Sequence, residues 1–139
     1  MSFCYAVRHC PKKSPAKKPL EEVIAEIVKN KEARSYGKID AVGHFIYVIQ
    51  ATDTTPVQYE LGYRYKVSKS KPYGKPAYEN TGNHCKYFTK PKLIEDNTFT
   101  EWFASSAISR LGMTPLKSEF IYLLDEMFDA TDSAAEELK

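Results

Sequence analysis

The chain has 139 residues, of which 42% are hydrophobic and 27% charged, a size that fits one globular domain and is too small for two. No apolar run approaches the roughly 20 residues of a membrane-spanning helix, and the first residues lack a signal-peptide pattern. Its three cysteines do not suggest a disulfide framework, so we expect reduced thiols and a cytoplasmic protein with no membrane partner.

The first structural elements are predicted by hydrophobic periodicity. Alternation over residues 3–10 predicts a half-buried strand, and the lysine- and proline-rich residues 11–18 predict an exposed loop. Apolar residues at i, i+3 and i+4 predict a helix over residues 19–33. The nearly continuous apolar run 44–50 predicts a strand that is buried on both faces, in the centre of a sheet.

The remaining elements follow in chain order. Residues 59–67 alternate as a strand, and the polar residues 68–83 predict a long loop. Strands over 84–90 and 92–94 precede a helix over residues 98–112 and a last helix that begins at Thr114, with Pro115 in its first turn. We expect a single domain over residues 1–129 and a disordered acidic tail over 130–139.

The order of these elements predicts an α+β fold. It lacks the strand–helix alternation of a parallel doubly wound sheet. We expect a small curved antiparallel sheet or a partly closed β-barrel, flanked by an N-terminal helix and two C-terminal helices.

Charge is distributed in two blocks. Residues 1–94 contain 17 lysines and arginines against 8 acids, whereas residues 95–139 contain 3 against 10. The most basic segment is 62–92, where Glu79 is the single acid among eight cations, and this predicts a polyanion-binding surface. The alternative is a solvated surface neutralised by the acidic helices. Candidate phosphate contacts are Lys12, Lys13, Arg64, Lys66, Lys69, Lys71 and Lys75.

Sequence motifs for catalysis or cofactor binding are missing. The chain has no G-x-G-x-x-G, P-loop, H-E-x-x-H or G-x-S-x-G pattern, so we expect neither an enzyme nor a cofactor. The His-Cys pairs at 9–10 and 84–85, with Cys4, lack zinc-knuckle spacing, and no metal is expected. A Cys85 nucleophile activated by His9 or His44 is disfavoured because cysteines are commonly buried for packing alone.

Aromatic residues are abundant, with ten tyrosines, seven phenylalanines and one tryptophan, many of them beside cations. Aromatic rings stack on nucleic-acid bases while ammonium and guanidinium groups contact phosphates. Tyrosines at strict strand spacing are equally explained as core residues. Tyr36, Tyr73 and Tyr78 lie in polar segments and are the better candidates for base contact.

Three stretches together resemble the PUA-like superfamily, and most of all its EVE and YTH branch. They are the segment YRYKV at 63–67, the segment from His84 to 94, in which FTKPKLI fits an F-x-x-P-x-x-L pattern, and Trp102 with the Leu-Gly pair at 111–112. The resemblance covers most of the chain. It departs from the family at residues 35–38, where Tyr36 stands in place of an early tryptophan.

This resemblance implies a small barrel that takes a modified or flipped base into a pocket with aromatic walls and a basic rim. The pocket would lie at the end of the first strand, near Arg8, His9 and Cys10, and Tyr36 and Trp102 would be further base-contacting candidates. Catalytic turnover is not implied. Such domains serve as DNA-reading modules in some modification-dependent restriction systems, which suggests a separate effector protein as a partner.

Two hypotheses of different kinds result. The first is a non-enzymatic module that binds DNA or RNA and recognises a modified or flipped base. The second is a protein-interaction or inhibitor domain, such as an accessory protein of a phage or mobile element, whose charged faces bind a partner protein. The mixture of tyrosine and lysine over residues 62–92 favours nucleic acid.

Overall fold

The computed structural model describes residues 3–12, 17–74, 77–106 and 112–138. Seven strands and three helices are defined within these ranges. In chain order they are β1 (Cys4–His9), α1 (Leu20–Asn30), β2 (Ala33–Gly37), β3 (Phe45–Ala51), β4 (Tyr59–Pro72), β5 (Tyr78–Leu93), α2 (Asn97–Ser106), β6 (Met113–Pro115), α3 (Ser118–Asp129) and β7 (Glu136–Leu138).

The strands form one strongly curled, half-barrel sheet, which confirms the expected α+β class. Their order is β2-β5-β4-β3-β1-β6, and β7 pairs with β5. Most strand pairs are antiparallel, as expected, but the antiparallel prediction is wrong for β1 and β3, which pair in parallel. The chain between them contains α1 and β2, a connection long enough to bring β3 back in the same direction as β1.

The two faces of the sheet carry separate hydrophobic clusters. Strand β3 is central and buries residues from both faces, as its apolar run predicts. One cluster joins the sheet to α2 and α3 through Tyr47, Ile49, Leu61, Phe88, Phe99, Phe103, Phe120 and Leu124. The other joins the sheet to α1 through Leu20, Ile24, Ile27, Val48, Tyr63 and Tyr65. Among the described helices, none is long and apolar enough to cross a bilayer.

Helix α1 ends earlier than its sequence pattern predicts. Lys31 adopts the left-handed conformation (φ 58°) directly after Asn30, and Ala33, the last residue of the predicted helix, begins β2 instead. The helix packs closely on β4 at Gly62, where a Cβ atom would overlap the side chain of Leu20. Glycine is therefore required at this helix–sheet contact.

The long polar loop expected over residues 68–83 is wrong, because β4 and β5 continue through most of it as a hairpin. Cross-strand pairs run from Val67 and Gly82 to Pro72 and Tyr78. A Cβ atom at Gly82 would overlap the carbonyl oxygen of Lys66, so the glycine permits the close strand approach at a β-bulge. The polar start of β5 is stable as a strand because its main chain is hydrogen-bonded on both edges, to β4 on one side and to β2 on the other.

The C-terminal elements also differ from the prediction. Residues expected to start the last helix form β6, which pairs with β1, and α3 begins only at Ser118. Helix α2 is confirmed from Asn97 to Ser106, and most of the rest of its predicted length lies outside the described residues. The prediction of a disordered tail is wrong for Glu136–Leu138, because β7 pairs with β5 at Cys85, Lys86 and Tyr87.

Candidate functional site

Three strands present a polar face at the closed end of the β4–β5 hairpin. On β5, Glu79 lies between Tyr36 of β2 and Lys71 of β4, and two residues further along Thr81 lies between Arg34 and Lys69. Because alternate residues of a strand share one side, these side chains project together. We call this set, with Tyr73 at the hairpin end, the hairpin face: Arg34, Tyr36, Lys69, Lys71, Tyr73, Glu79 and Thr81.

A depression of about 600 Å³ opens on the hairpin face. This volume is in the range of sites that hold a small ligand such as a nucleotide. Apart from Val42 its lining is polar or charged, so the aromatic rings of the hairpin face stand beside the depression instead of forming its wall. The lining residues are Glu32, Arg34, Val42, Lys69, Ser70, Lys71, Glu79 and Thr81.

Glu79 is the buried centre of the charges at this site, with 8% of its surface exposed. The Tyr36 hydroxyl donates to its Oε2 atom over 3.2 Å, Lys71 Nζ lies 3.3 Å from Oε1, and Arg34 Nη1 lies 3.9 Å from Oε2. Burial and the Glu79 carboxylate raise the pKa of the Tyr36 phenol above its ordinary value, so it remains a proton donor. Three cations and two carboxylates line the depression, which leaves it with an excess of positive charge.

An aromatic pair adjoins these charges. The ring centroids of Tyr36 and Tyr73 are 4.8 Å apart, and the ring planes are tilted by 52°. Tyr73 is 45% exposed, so Tyr36 supports one part of the ring while another part faces solvent. An exposed tyrosine that is held by a second ring is a ready surface for a planar ligand.

The hairpin face is fixed from behind by buried polar groups. The Tyr65 hydroxyl bonds to the Ser35 hydroxyl at 2.6 Å and donates to the Asn80 carbonyl at 3.0 Å. The Asn80 side chain donates to the Ile39 carbonyl and accepts from the Ala41 amide. These bonds tie β2, β4, β5 and the chain after β2 to one another, so the strands that carry the site are held in a single arrangement.

Four of the candidates named from the sequence come together on this face: Lys69, Lys71, Tyr36 and Tyr73. Tyr78 does not join them, because it directly precedes Glu79 on β5 and its half-buried side chain projects to the opposite side. Lys12 is exposed in the segment after β1. Lys13 and Lys75 lie outside the described residues.

Two basic candidates lie in other surroundings. Arg64 Nη1 is 2.7 Å from Asp125 of α3, and its guanidinium lies over the ring of Tyr47, so its charge is already paired. Lys66 is exposed, with its ammonium 6.0 Å from the centroid of Phe45. Neither residue lines the depression.

The candidates at the end of β1 and on α2 also lie apart from the hairpin face. His9 Nε2 is 2.6 Å from the Lys18 carbonyl oxygen, and burial lowers the pKa of its imidazole. The guanidinium of Arg8 lies 5.8 Å from the centroid of Tyr59. Trp102 packs against Phe120, with ring centroids 4.8 Å apart, in the cluster beneath α2 and α3.

The three cysteines are free thiols, two of them half-buried and one buried. No three His, Cys, Asp or Glu side chains in the described part of the chain are placed to hold a metal ion. Cys85 is buried, and burial raises the pKa of its thiol to about 12, so it is protonated at neutral pH. His44, which was considered as an activator of Cys85, accepts a hydrogen bond from the Phe3 amide at its Nδ1 atom.

Six of the eight lining residues of the depression were not singled out as site candidates from the sequence, and three of these six are charged: Glu32, Arg34 and Glu79. A signal for Glu79 existed, since it is the single acid among the cations of residues 62–92. Arg34 alternates with Tyr36 across Ser35, a strand pattern that is easily missed in so short a segment.

Comparisons of the chain with protein-family models, curated proteins and solved structures find no match.

Proposed function

We propose that the chain is a non-enzymatic module that binds nucleic acid, and that the hairpin face is its binding surface. One observation carries this proposal. The exposed ring of Tyr73 packs on Tyr36, and this aromatic pair lies beside a depression that is lined by three cations. Base stacking and phosphate contact require these two chemistries next to each other.

In this proposal each group has a defined role. A base stacks on the solvent-facing side of Tyr73, which contributes about 1–3 kcal/mol per base. Lys69 and Lys71 are 2 residues apart on one strand face, and both are exposed, so they can follow a phosphate backbone. Arg34, on the other side of β5, can contact a further phosphate or a sugar.

The recognition of a modified or flipped base, which the PUA-like resemblance implies, remains part of the proposal. A single-stranded base and a base extruded from a duplex both offer a free ring face to Tyr73. Extrusion costs a few kcal/mol, and stacking together with phosphate contact could offset that cost. Single-stranded oligonucleotides avoid this cost and are therefore the first ligands to test.

A salt titration with a matched control tests the proposal. Fluorescence anisotropy of a labelled single-stranded oligonucleotide should give a log–log salt slope that flattens by about 1.4 in the double variant Lys69→Ala/Lys71→Ala, because each phosphate contact on a single strand contributes about 0.7. The control Lys29→Ala/Lys90→Ala removes the same charge from exposed lysines on α1 and the far part of β5, and should leave the slope close to that of the parent.

The protein-interaction hypothesis is the outcome favoured if no oligonucleotide binds. Its specific support is Tyr122, which is 71% exposed on α3, with Glu119 and Glu126 on the same side of the helix. Exposed tyrosines are enriched at protein interfaces, and the neighbouring acids would complement a basic partner surface. If the salt slopes of the Lys69→Ala/Lys71→Ala and Lys29→Ala/Lys90→Ala variants are equal, the assignment of the hairpin face as the binding surface is also refuted.

A further inference from the structure

The buried carboxylate of Glu79 has hydrogen-bonding capacity that the fold does not use. A carboxylate offers about four lone-pair sites. Among the described residues, the Tyr36 hydroxyl at 3.2 Å is the one hydrogen-bond donor to it, while Lys71 and Arg34 approach as ion pairs at 3.3 and 3.9 Å. The lone pairs that these contacts leave over can accept hydrogen bonds from donors of a ligand.

Glu79 also lies close to the aromatic pair that is proposed to hold a base. It lines the depression, and the Tyr36 side chain contacts both its carboxylate and the ring of Tyr73. Tyr36 therefore connects the ring that would stack on a base with the carboxylate that would accept hydrogen bonds from it. Single-stranded recognition commonly reads the Watson–Crick edge of a base that is stacked in this way.

The Watson–Crick edges of the bases differ in how they match a carboxylate. Guanine presents two adjacent donors, N1–H and the N2 amino group, which fit the two carboxylate oxygens in parallel. Thymine and uracil place one N–H between two carbonyl oxygens, which a carboxylate repels. Adenine and cytosine each place one amino group beside a ring-nitrogen acceptor. Guanine is thus the one base of the five that satisfies both oxygens.

Lys71 can make room for this edge. It is highly exposed, with 71% of its side chain accessible, so its ion pair with Glu79 is screened by solvent and weak. When a nucleotide binds, the ammonium can move from the carboxylate to a phosphate, and the carboxylate takes the two base donors in its place. In this exchange the ammonium gains a charged phosphate partner, and the carboxylate replaces one screened ion pair by two hydrogen bonds to the base.

We infer that the hairpin face prefers guanine, with Glu79 as the residue that reads its N1–H and N2 amino donors. This inference rests on the proposed nucleic-acid binding and adds the base that the site selects. It assigns Arg34 and Lys71 to the phosphate and sugar, and Tyr73 to stacking.

The test uses short oligothymidylates with a single central guanine, hypoxanthine, adenine or cytosine, and anisotropy at constant salt. Central guanine should tighten binding at least about tenfold over central thymine, the size of a good two-bond base contact. Hypoxanthine, which lacks the N2 amino group, should lose most of that gain. Glu79→Gln should abolish the preference, whereas Glu32→Gln, an exposed carboxylate at the same depression, should keep it.

The outcomes separate the two proposals. Equal binding of all the oligonucleotides overturns the guanine preference and leaves nucleic-acid binding intact. Failure of every oligonucleotide to bind overturns the proposed function and the preference with it. Should Glu79→Gln unfold, the comparison of guanine with hypoxanthine on the unaltered protein decides the matter, because it changes only the ligand.

Discussion

Truncation of Tyr73 separates a role in ligand binding from a role in the fold. The ring is 45% exposed, stands at the end of the hairpin and makes one aromatic contact among the described residues, with Tyr36. It belongs to neither hydrophobic cluster. Tyr73→Ala therefore removes a ring that the fold can largely do without.

The structure sets the size of both effects. Loss of the aromatic pair should reduce the free energy of unfolding by about 1 kcal/mol, which lowers the Tm by about 3 °C for a chain of this length. Loss of a stacked base should weaken oligonucleotide binding by about 1–3 kcal/mol, or about 5- to 150-fold. The effect on binding should thus be larger than the effect on stability.

The assay combines oligonucleotide anisotropy with thermal unfolding by circular dichroism. Tyr73→Phe keeps the ring and should bind like the parent. Tyr122→Ala removes a more exposed tyrosine from α3 and should change neither binding nor Tm appreciably. If Tyr73→Ala binds oligonucleotide as tightly as Tyr122→Ala does, the ring of Tyr73 does not stack on a base and the assignment of this surface is wrong.

Two further predictions concern the core. Trp102→Ala should lower the free energy of unfolding by about 3 kcal/mol in urea, since the indole packs on Phe120 and Phe99, and the folded variant should bind oligonucleotide like the parent. Burial raises the pKa of the Tyr63 and Tyr65 phenols above their usual value near 10, so their contribution to stability should be constant below about pH 9 and fall as the pH rises through 10 and beyond. Phenolate absorbance from these two residues that rises before the circular dichroism changes would contradict this prediction.

Local sequence patterns determined the elements whose periodicity is strong. The apolar stripe of Leu20, Ile24 and Ile27 has the period of one helix face and predicts α1. The run 45–49 is short and rich in β-branched and aromatic residues, which favours a central strand. The charge blocks and the tyrosines pointed to Lys69, Lys71, Tyr36 and Tyr73 as candidate ligand contacts, and cross-strand pairing brings these four together on the hairpin face. The same side-chain chemistry also pointed to Tyr78, Arg64 and Lys66, which lie elsewhere.

The tertiary structure decided where polar segments become strands. Residues 33–37 and 68–72 have no strong hydrophobic pattern, and they extend the sheet because β5 offers unpaired main-chain groups along both of its edges. The same pairing places Glu79 between Lys71 and Tyr36, although Tyr36 and Glu79 are 43 residues apart in the sequence. Cross-strand register is a property of the assembled sheet, so the sequence could mark Glu79 as the one acid among cations, but only the fold shows that it is buried between Lys71 and Tyr36.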